Sequence, residues 1–124
     1  TRTENQINKI LDDAEKNAVR NNISNIVFVK ANLDTFFKSG QLPKRVPKPD
    51  VMVVDPPRAG MHEDMTNYLP KLGARKIIYV SCNPTTQARD AKILNAYGYR
   101  IISSTMVDMF PHTPHIETVM LFSK

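Results

Sequence analysis

Residues 51–58 run VMVVDPPR and residues 76–84 run KIIYVSCNP. Both segments follow one plan: an apolar, largely β-branched run stops at a polar turn that contains proline. Val51, Val53, Val54, Ile77, Ile78 and Val80 favour extended backbone in a packed sheet. Pro56 and Pro57 end the first run, because a prolyl nitrogen brings no proton to a sheet ladder. Pro84 instead opens the helical pattern that follows, at a position where its missing N–H costs nothing. Each segment is therefore a buried strand that delivers a polar cluster at its carboxyl end.

The rest of the chain alternates in the same way. Ile7, Ile10, Leu11, Ala14 and Ala18 recur at helical spacing with charges between them. This predicts an amphipathic helix over residues 4–21, stopped by Asn21-Asn22. Residues 26–29, IVFV, predict another buried strand, and residues 32–38 suit a short helix. Residues 40–50 hold Pro43, Pro47 and Pro49 beside Lys44, Arg45 and Lys48, which reads as an exposed basic loop. Helices are expected over residues 62–72, ended by Gly73, and from Pro84 to about Tyr97, ended by Gly98. Residues 99–108 and 116–123 are the last strands. Strands alternating with helices imply a parallel sheet with helices on its faces. The final two strands, joined by a short loop, should pair antiparallel.

Length and composition narrow the class. A chain of 124 residues suits one domain, and its 41% apolar and 23% charged content is ordinary for a globular protein. The one cysteine excludes an internal disulfide framework and any all-cysteine metal site. No apolar stretch reaches the roughly 20 residues of a membrane span. The first residues lack the apolar core of a signal peptide, so a cytoplasmic location is the expectation. The 17 basic and 12 acidic residues leave a charge of +5, which draws polyanions such as RNA or simply aids solubility. The four glycines, Gly40, Gly60, Gly73 and Gly98, are too scattered for a phosphate-cradling loop.

In open α/β sheets, ligands bind beyond the carboxyl ends of the strands. Asn32, the Asp55–Arg58 turn and the Ser81–Pro84 turn all fall at such ends and define one rim. Cys82 lies where a strand passes into a helix. A helix start stabilises a thiolate, which would make Cys82 a nucleophile; the alternative is a small buried apolar group. Asp55 is held by the prolines after it, either to accept hydrogen bonds from a ligand or to pair with Arg58. Glu117 stands on an otherwise apolar strand, HIETVMLF. It is either a buried carboxylate able to act as a base or a solvent-facing strand residue. His112, His115 and Glu117 lie close in sequence, but without further ligands no metal site is expected. Lys44, Arg45 and Lys48 suit a solvated loop, with RNA backbone contact the alternative.

Three blocks, VVDPPRAG, YVSCNPTTQARD and DMFPHTPHIETVMLF, together resemble the RNA uracil-5-methyltransferases. The resemblance runs from about Asp13 to Lys124, and the last block is closer to the ribosomal RNA branch than to the tRNA branch. It implies a partial Rossmann-like S-adenosylmethionine methyltransferase fold, α/β, with a mostly parallel sheet and a final antiparallel strand. It also implies methylation of uracil C5 in RNA, with rRNA favoured over tRNA. Cys82 would be the nucleophile that adds to uracil C6, and Glu117 the base that removes the C5 proton. Asn32 and Asp55 match positions that contact the cofactor. Arg58, Asn83 and Arg89 would support the site or the RNA. Such chemistry requires the target base to leave its stack.

The chain also departs from that family. The glycine-rich strand–loop–helix that begins the catalytic domain, and the acidic strand end after it, have no counterpart here. Nor do the N-terminal RNA-binding barrel and the cysteine-bound iron–sulfur cluster of some members. The expectation is that residues 1–124 are the C-terminal portion of a catalytic domain that lacks its first two strands. Alone it would be inactive or feeble. The competing reading is a non-catalytic RNA-binding module that uses the basic surface. A sheet short of two strands has unpaired edges. The strand over residues 26–29 should then close up beside residues 51–54 or pair with another chain, giving self-association.

Overall fold

The chain was analysed as a computed structural model, which describes residues 3–31 and 47–124. It divides into two units, residues 1–32 and residues 33–124. The first is built on helix α1, Glu4–Arg20. Thr3 caps it in a reciprocal box with Gln6, which satisfies two backbone donors at the helix start. Asn21 closes it and Asn22 turns left-handed at φ 55°, as the asparagine pair predicts. Lys30 then folds back along α1, its Nζ 2.7 Å from Asn8 Oδ1 and 3.3 Å from Glu4 Oε1.

Residues 26–29 form no strand, contrary to expectation. The sheet takes no strand from them. Val27 is 72% exposed. A β-branched run expresses only a preference for extended backbone. Without a ladder to join and a face to bury, that preference makes no strand. The helix expected over residues 32–38, and Lys44 and Arg45 of the basic loop, lie outside the described residues. Residues 47–49 of that loop have no regular structure.

The second unit holds a four-stranded sheet. Its strands are β1 (Val51–Val54), β2 (Lys76–Ser81), β3 (Arg100–Val107) and β4 (Glu117–Ser123), in the spatial order β1-β2-β4-β3. β1 and β2 are parallel, and β4 runs antiparallel to both β2 and β3. Three strands therefore share one direction and the last opposes them, as expected. Helix α2 (Glu63–Tyr68) continues into a 3₁₀ turn, Leu69–Leu72, and stops at left-handed Gly73. Helix α3, Pro84–Ala96, has Asn83 as its N-cap and ends before left-handed Gly98.

The core lies on one face of this sheet. Met52 and Val54 of β1, Ile77 and Tyr79 of β2 and Phe122 of β4 pack with Met61, Leu69, Ala74, Ala91, Leu94 and Tyr99. Burial of each large side chain contributes about 1.5–3 kcal/mol. The alternate residues face the other way. Val51 and Val53 are exposed, so β1 is half-buried rather than buried on both faces. Ile78, Val80, Val119 and Leu121 on that second face are partly covered. β3 is exposed along its length, with a one-residue bulge at Ile102.

Candidate active site at the carboxyl ends of the strands

The parallel strands end together. Val54 pairs with Tyr79, so the next step sets Asp55 level with Val80. The β2–β4 ladder closes on Ser81 paired with Thr118, and β3 meets β4 at Val107 and Glu117. β2 ends at Ser81, so Cys82 and Glu117 are the chain neighbours of the last β2–β4 pair. Residues two apart on a strand share a face. Asp55 therefore falls on the face of Val53, and Glu117 on the face of Val119, the side opposite the core.

An open cavity of about 320 Å³ lies there, lined by Asp55, Val80, Val107, Met109, Phe110, Glu117 and Val119. Apolar walls with a few carboxylates are the usual make-up of a small-molecule site. The structure thus brings Asp55 and Glu117 to one cavity; Cys82, two residues on from Val80, is not among its lining residues. Cys82 carries a free, half-buried thiol. Glu117 is half-buried and Asp55 exposed. Asn32 lies outside the described residues.

A tight turn carries the chain from Cys82 into α3. Ser81 Oγ accepts from Asn83 N at 3.0 Å and donates to Asn83 O at 2.9 Å. Asn83 Oδ1 caps the helix through Thr85 N at 3.1 Å, and its amide donates to Arg58 O at 3.2 Å. Arg58 makes no ion pair with Asp55 among the described residues; its Nη2 lies 3.4 Å from His115 Nδ1. Asn83 and Arg58 thus join the two turns, and His115 adds the segment that leads into Glu117. His112 takes a left-handed φ of 71° in that segment. Among the described residues no group of three or more histidine, cysteine or carboxylate side chains could hold a metal. No described helix is long and apolar enough to cross a membrane.

Arg89 turns inward to protein. Its Nη2 donates to Ala59 O at 3.2 Å and Met61 O at 3.0 Å and meets Asp90 Oδ1 at 2.8 Å. A larger cavity, about 610 Å³, is lined by Ala59, Gly60, Met61, His62, Glu63, Arg89, Asp90 and Ile93. The smaller cavity is the one that Asp55 and Glu117 line. Arg89 and Asp90 of the larger are bonded to each other and to the adjoining turn, and neither Cys82 nor Glu117 lines it.

Two buried polar residues of α3 went unread in the sequence. Gln87, fully buried, donates through Nε2 to Tyr79 O at 3.0 Å and Thr118 O at 3.1 Å, bridging β2 and β4 near their active ends. Its Oε1 has no partner among the described residues. Asp90 Oδ2 accepts from Tyr79 Oη at 2.7 Å and from Met61 N at 2.8 Å. Burial, then the hydrogen bond to Asp90, pushes the Tyr79 phenol well above its ordinary value, so it stays protonated. A signal for both residues was present. Gln87, Asp90, Ala91 and Leu94 recur at the spacing of one helix face, and the last two are apolar.

The class these features define is an α/β domain with reactive side chains gathered beyond the carboxyl ends of its strands. A family profile described as tRNA (Uracil-5-)-methyltransferase matches residues 5–124, and the chain belongs to that family. An uncharacterized RNA methyltransferase of Chlorobaculum tepidum is 46% identical over 118 residues, 95% of this chain and 24% of that protein. The 23S rRNA (uracil(1939)-C(5))-methyltransferase RlmD of Haemophilus parainfluenzae is 47% identical over 111 residues, 90% of this chain and 25% of its own length. The crystal structure of Pyrococcus abyssi tRNA (uracil-54, C5)-methyltransferase, in complex with S-adenosyl-L-homocysteine, superposes with a TM-score of 0.67. It is 38% identical and covers 88% of this chain, which in turn covers 25% of it. The chain spans about a quarter of the length of these relatives.

Proposed function

We propose that residues 1–124 are the C-terminal portion of the catalytic domain of an S-adenosylmethionine-dependent RNA uracil-C5 methyltransferase. The observation that carries the reading is the β2–β4 ladder, which closes on Ser81 and Thr118, the chain neighbours of Cys82 and Glu117, beside the cavity that Asp55 and Glu117 line. Uracil C5 is a poor nucleophile until a group adds to C6. In the proposed reaction the Cys82 thiolate forms a bond to C6, and the C5=C6 electrons move onto C5 and the C4 carbonyl. C5 then takes the methyl group that the sulfonium of S-adenosylmethionine supplies when bound. Glu117 removes the proton left on C5, the C5=C6 bond re-forms, and the Cys82–C6 bond breaks. A nucleophile and a base carried on the ends of two paired strands suit addition and elimination at adjacent carbons.

The cofactor would be held partly by Asp55, whose carboxylate can accept from its hydroxyl or amine groups against the apolar walls of Val80 and Val119. Asn32 is a second candidate. Arg58 and Asn83 would support the site, and Arg89 would do so from the protein side of the turn. RNA is the substrate class, and rRNA is favoured over tRNA by the DMFPHT block and by the likeness to the RlmD protein. The outer edge of β1 has no partner strand among the described residues, which leaves it open to self-association. This chain alone is expected to be inactive or feeble.

The decisive assay is methyl transfer to a uridine-containing RNA by the full-length protein and its Cys82→Ala and Glu117→Gln variants. Cys82→Ala should abolish transfer and the covalent adduct with 5-fluorouracil RNA. Glu117→Gln should let the adduct accumulate. Undiminished turnover by Cys82→Ala would falsify the nucleophile assignment. RNA binding with strong salt dependence, no methyl transfer and no sensitivity to either residue would favour the non-catalytic module instead.

A further inference from the structure

We propose that Asp90 is a positioning residue of this site, acting through Met61, Tyr79 and Arg89 to seat the turn that carries Asp55 and Arg58 against the start of α3. The inference rests on the proposed reaction and adds to it a residue that does not touch substrate.

Asp90 is 1% exposed. A buried carboxylate is costly unless fully partnered, and filling space alone would be served better by an apolar side chain. Its partners show what the charge does. Oδ2 takes Met61 N, on the turn, and Tyr79 Oη, on β2. Oδ1 takes Arg89, whose Nη2 reaches on to the carbonyls of Ala59 and Met61. One turn of helix earlier, Thr86 Oγ1 donates to Arg58 O at 3.2 Å, the same carbonyl that Asn83 holds. The backbone from Arg58 to Met61 is thus gripped at Arg58, Ala59 and Met61 by Asn83, Thr86, Arg89 and Asp90 of α3 and its cap.

Gly60 shows how closely the turn sits. A Cβ there would come within 2.7 Å of Arg89 Nη2 and 2.8 Å of Asp90 Oδ2, and its φ of +80° disfavours any side chain. The grip extends in both directions along the site. Toward β1 the turn continues through Pro57 and Pro56 to Asp55. Toward α3 the Arg58 carbonyl orients Asn83, the residue after Cys82. Loosening Asp90 would therefore move the cofactor-side carboxylate and the nucleophile relative to one another, with no loss of a group that contacts the reactants.

The test uses the full-length protein and Asp90→Asn, which keeps shape but presents amide protons where donors now converge. Turnover per folded enzyme should fall about 100-fold, the effect of a misplacement of about 1 Å, while KM for RNA changes little. Amide exchange at Gly60 and Met61 should quicken in the same variant. Wild-type turnover, or unchanged exchange at the turn, would overturn the proposal. If Asp90→Asn does not fold, Gly60→Ala decides, because it displaces the same turn with every charged group in place. It should lower turnover and loosen the turn, and a normal rate would overturn the proposal. If the unmutated protein fails to methylate uracil, the functional reading itself falls. The exchange measurement still reports on the clamp, so the two failures are distinguishable.

Discussion

Replacing Tyr79 with phenylalanine should destabilise the chain by an amount that shrinks in alkali. The Tyr79 ring is fully buried and its hydroxyl donates at 2.7 Å to the buried Asp90 carboxylate. A hydrogen bond to a charged group contributes about 1.5–3 kcal/mol. Tyr79→Phe should therefore cost about 2 kcal/mol at pH 8. The folded Tyr79 phenol ionises well above its ordinary value, first through burial and then through Asp90. In the unfolded chain it ionises near pH 10, so above that pH the unfolded state has released a proton that the folded state retains. Folding stability from this group is complete below about pH 10 and is lost as pH rises further, by about 1.4 kcal/mol at pH 11. The phenylalanine variant has no such loss. The gap between the two proteins should narrow from about 2 kcal/mol at pH 8 to about 0.6 kcal/mol at pH 11. Urea unfolding followed by circular dichroism at both pH values measures it, and every other titrating group cancels in the difference. A gap that stays constant or widens would refute both the protonated phenol and its partner.

Two further substitutions probe the frame around the site. Phe122→Ala removes a fully buried ring from the core and should cost about 3–5 kcal/mol. That corresponds to a melting temperature lower by about 10–20 °C, and a loss under about 1 kcal/mol would mean the ring is not packed as described. Asn83→Ala removes the α3 cap and the tie to Arg58 and should cost about 1–2 kcal/mol. Asn83→Asp keeps the capping oxygen and gives up only the donor, so its urea midpoint should fall between the two. A midpoint no better than alanine's would assign the effect to the Arg58 contact instead.

The strands that carry the site were legible because each announces itself twice, in an apolar run and in the turn that stops it. Val51–Val54 and Lys76–Ser81 appear as expected, and so do the helices beginning at residue 4 and at Pro84, whose caps Thr3 and Asn83 the structure supplies. Residues 26–29 failed because strand formation depends on a partner that local composition does not contain. Gln87 and Asp90 were missed for a related reason. Polar letters in a helix suggest solvent, and only the closed fold supplies the carbonyls, the phenol and the turn amide that make their burial tolerable. The placement of Cys82 and Glu117 had the same origin. Their types suggested chemistry, but the pairing of their neighbours Ser81 and Thr118 comes from β4 entering the sheet between β2 and β3.

Because Ser81 and Thr118 are paired in an antiparallel ladder, their neighbours Cys82 and Glu117 are tied by count along the strands rather than by distance along the chain. Lengthening or shortening the loop over residues 108–116 leaves the pairing of Ser81 with Thr118 intact. Deleting a single residue within β4 does not, since a one-residue slip sends every earlier side chain of the strand to the other face. Glu117 would then point toward the helices and away from the cavity it lines. Libraries that vary this protein should therefore keep the β2–β4 pairing after insertions between β3 and β4 that spare Met109, Phe110 and His115, and lose it after one-residue deletions inside β4, even where the hydrophobic content of the strand is preserved.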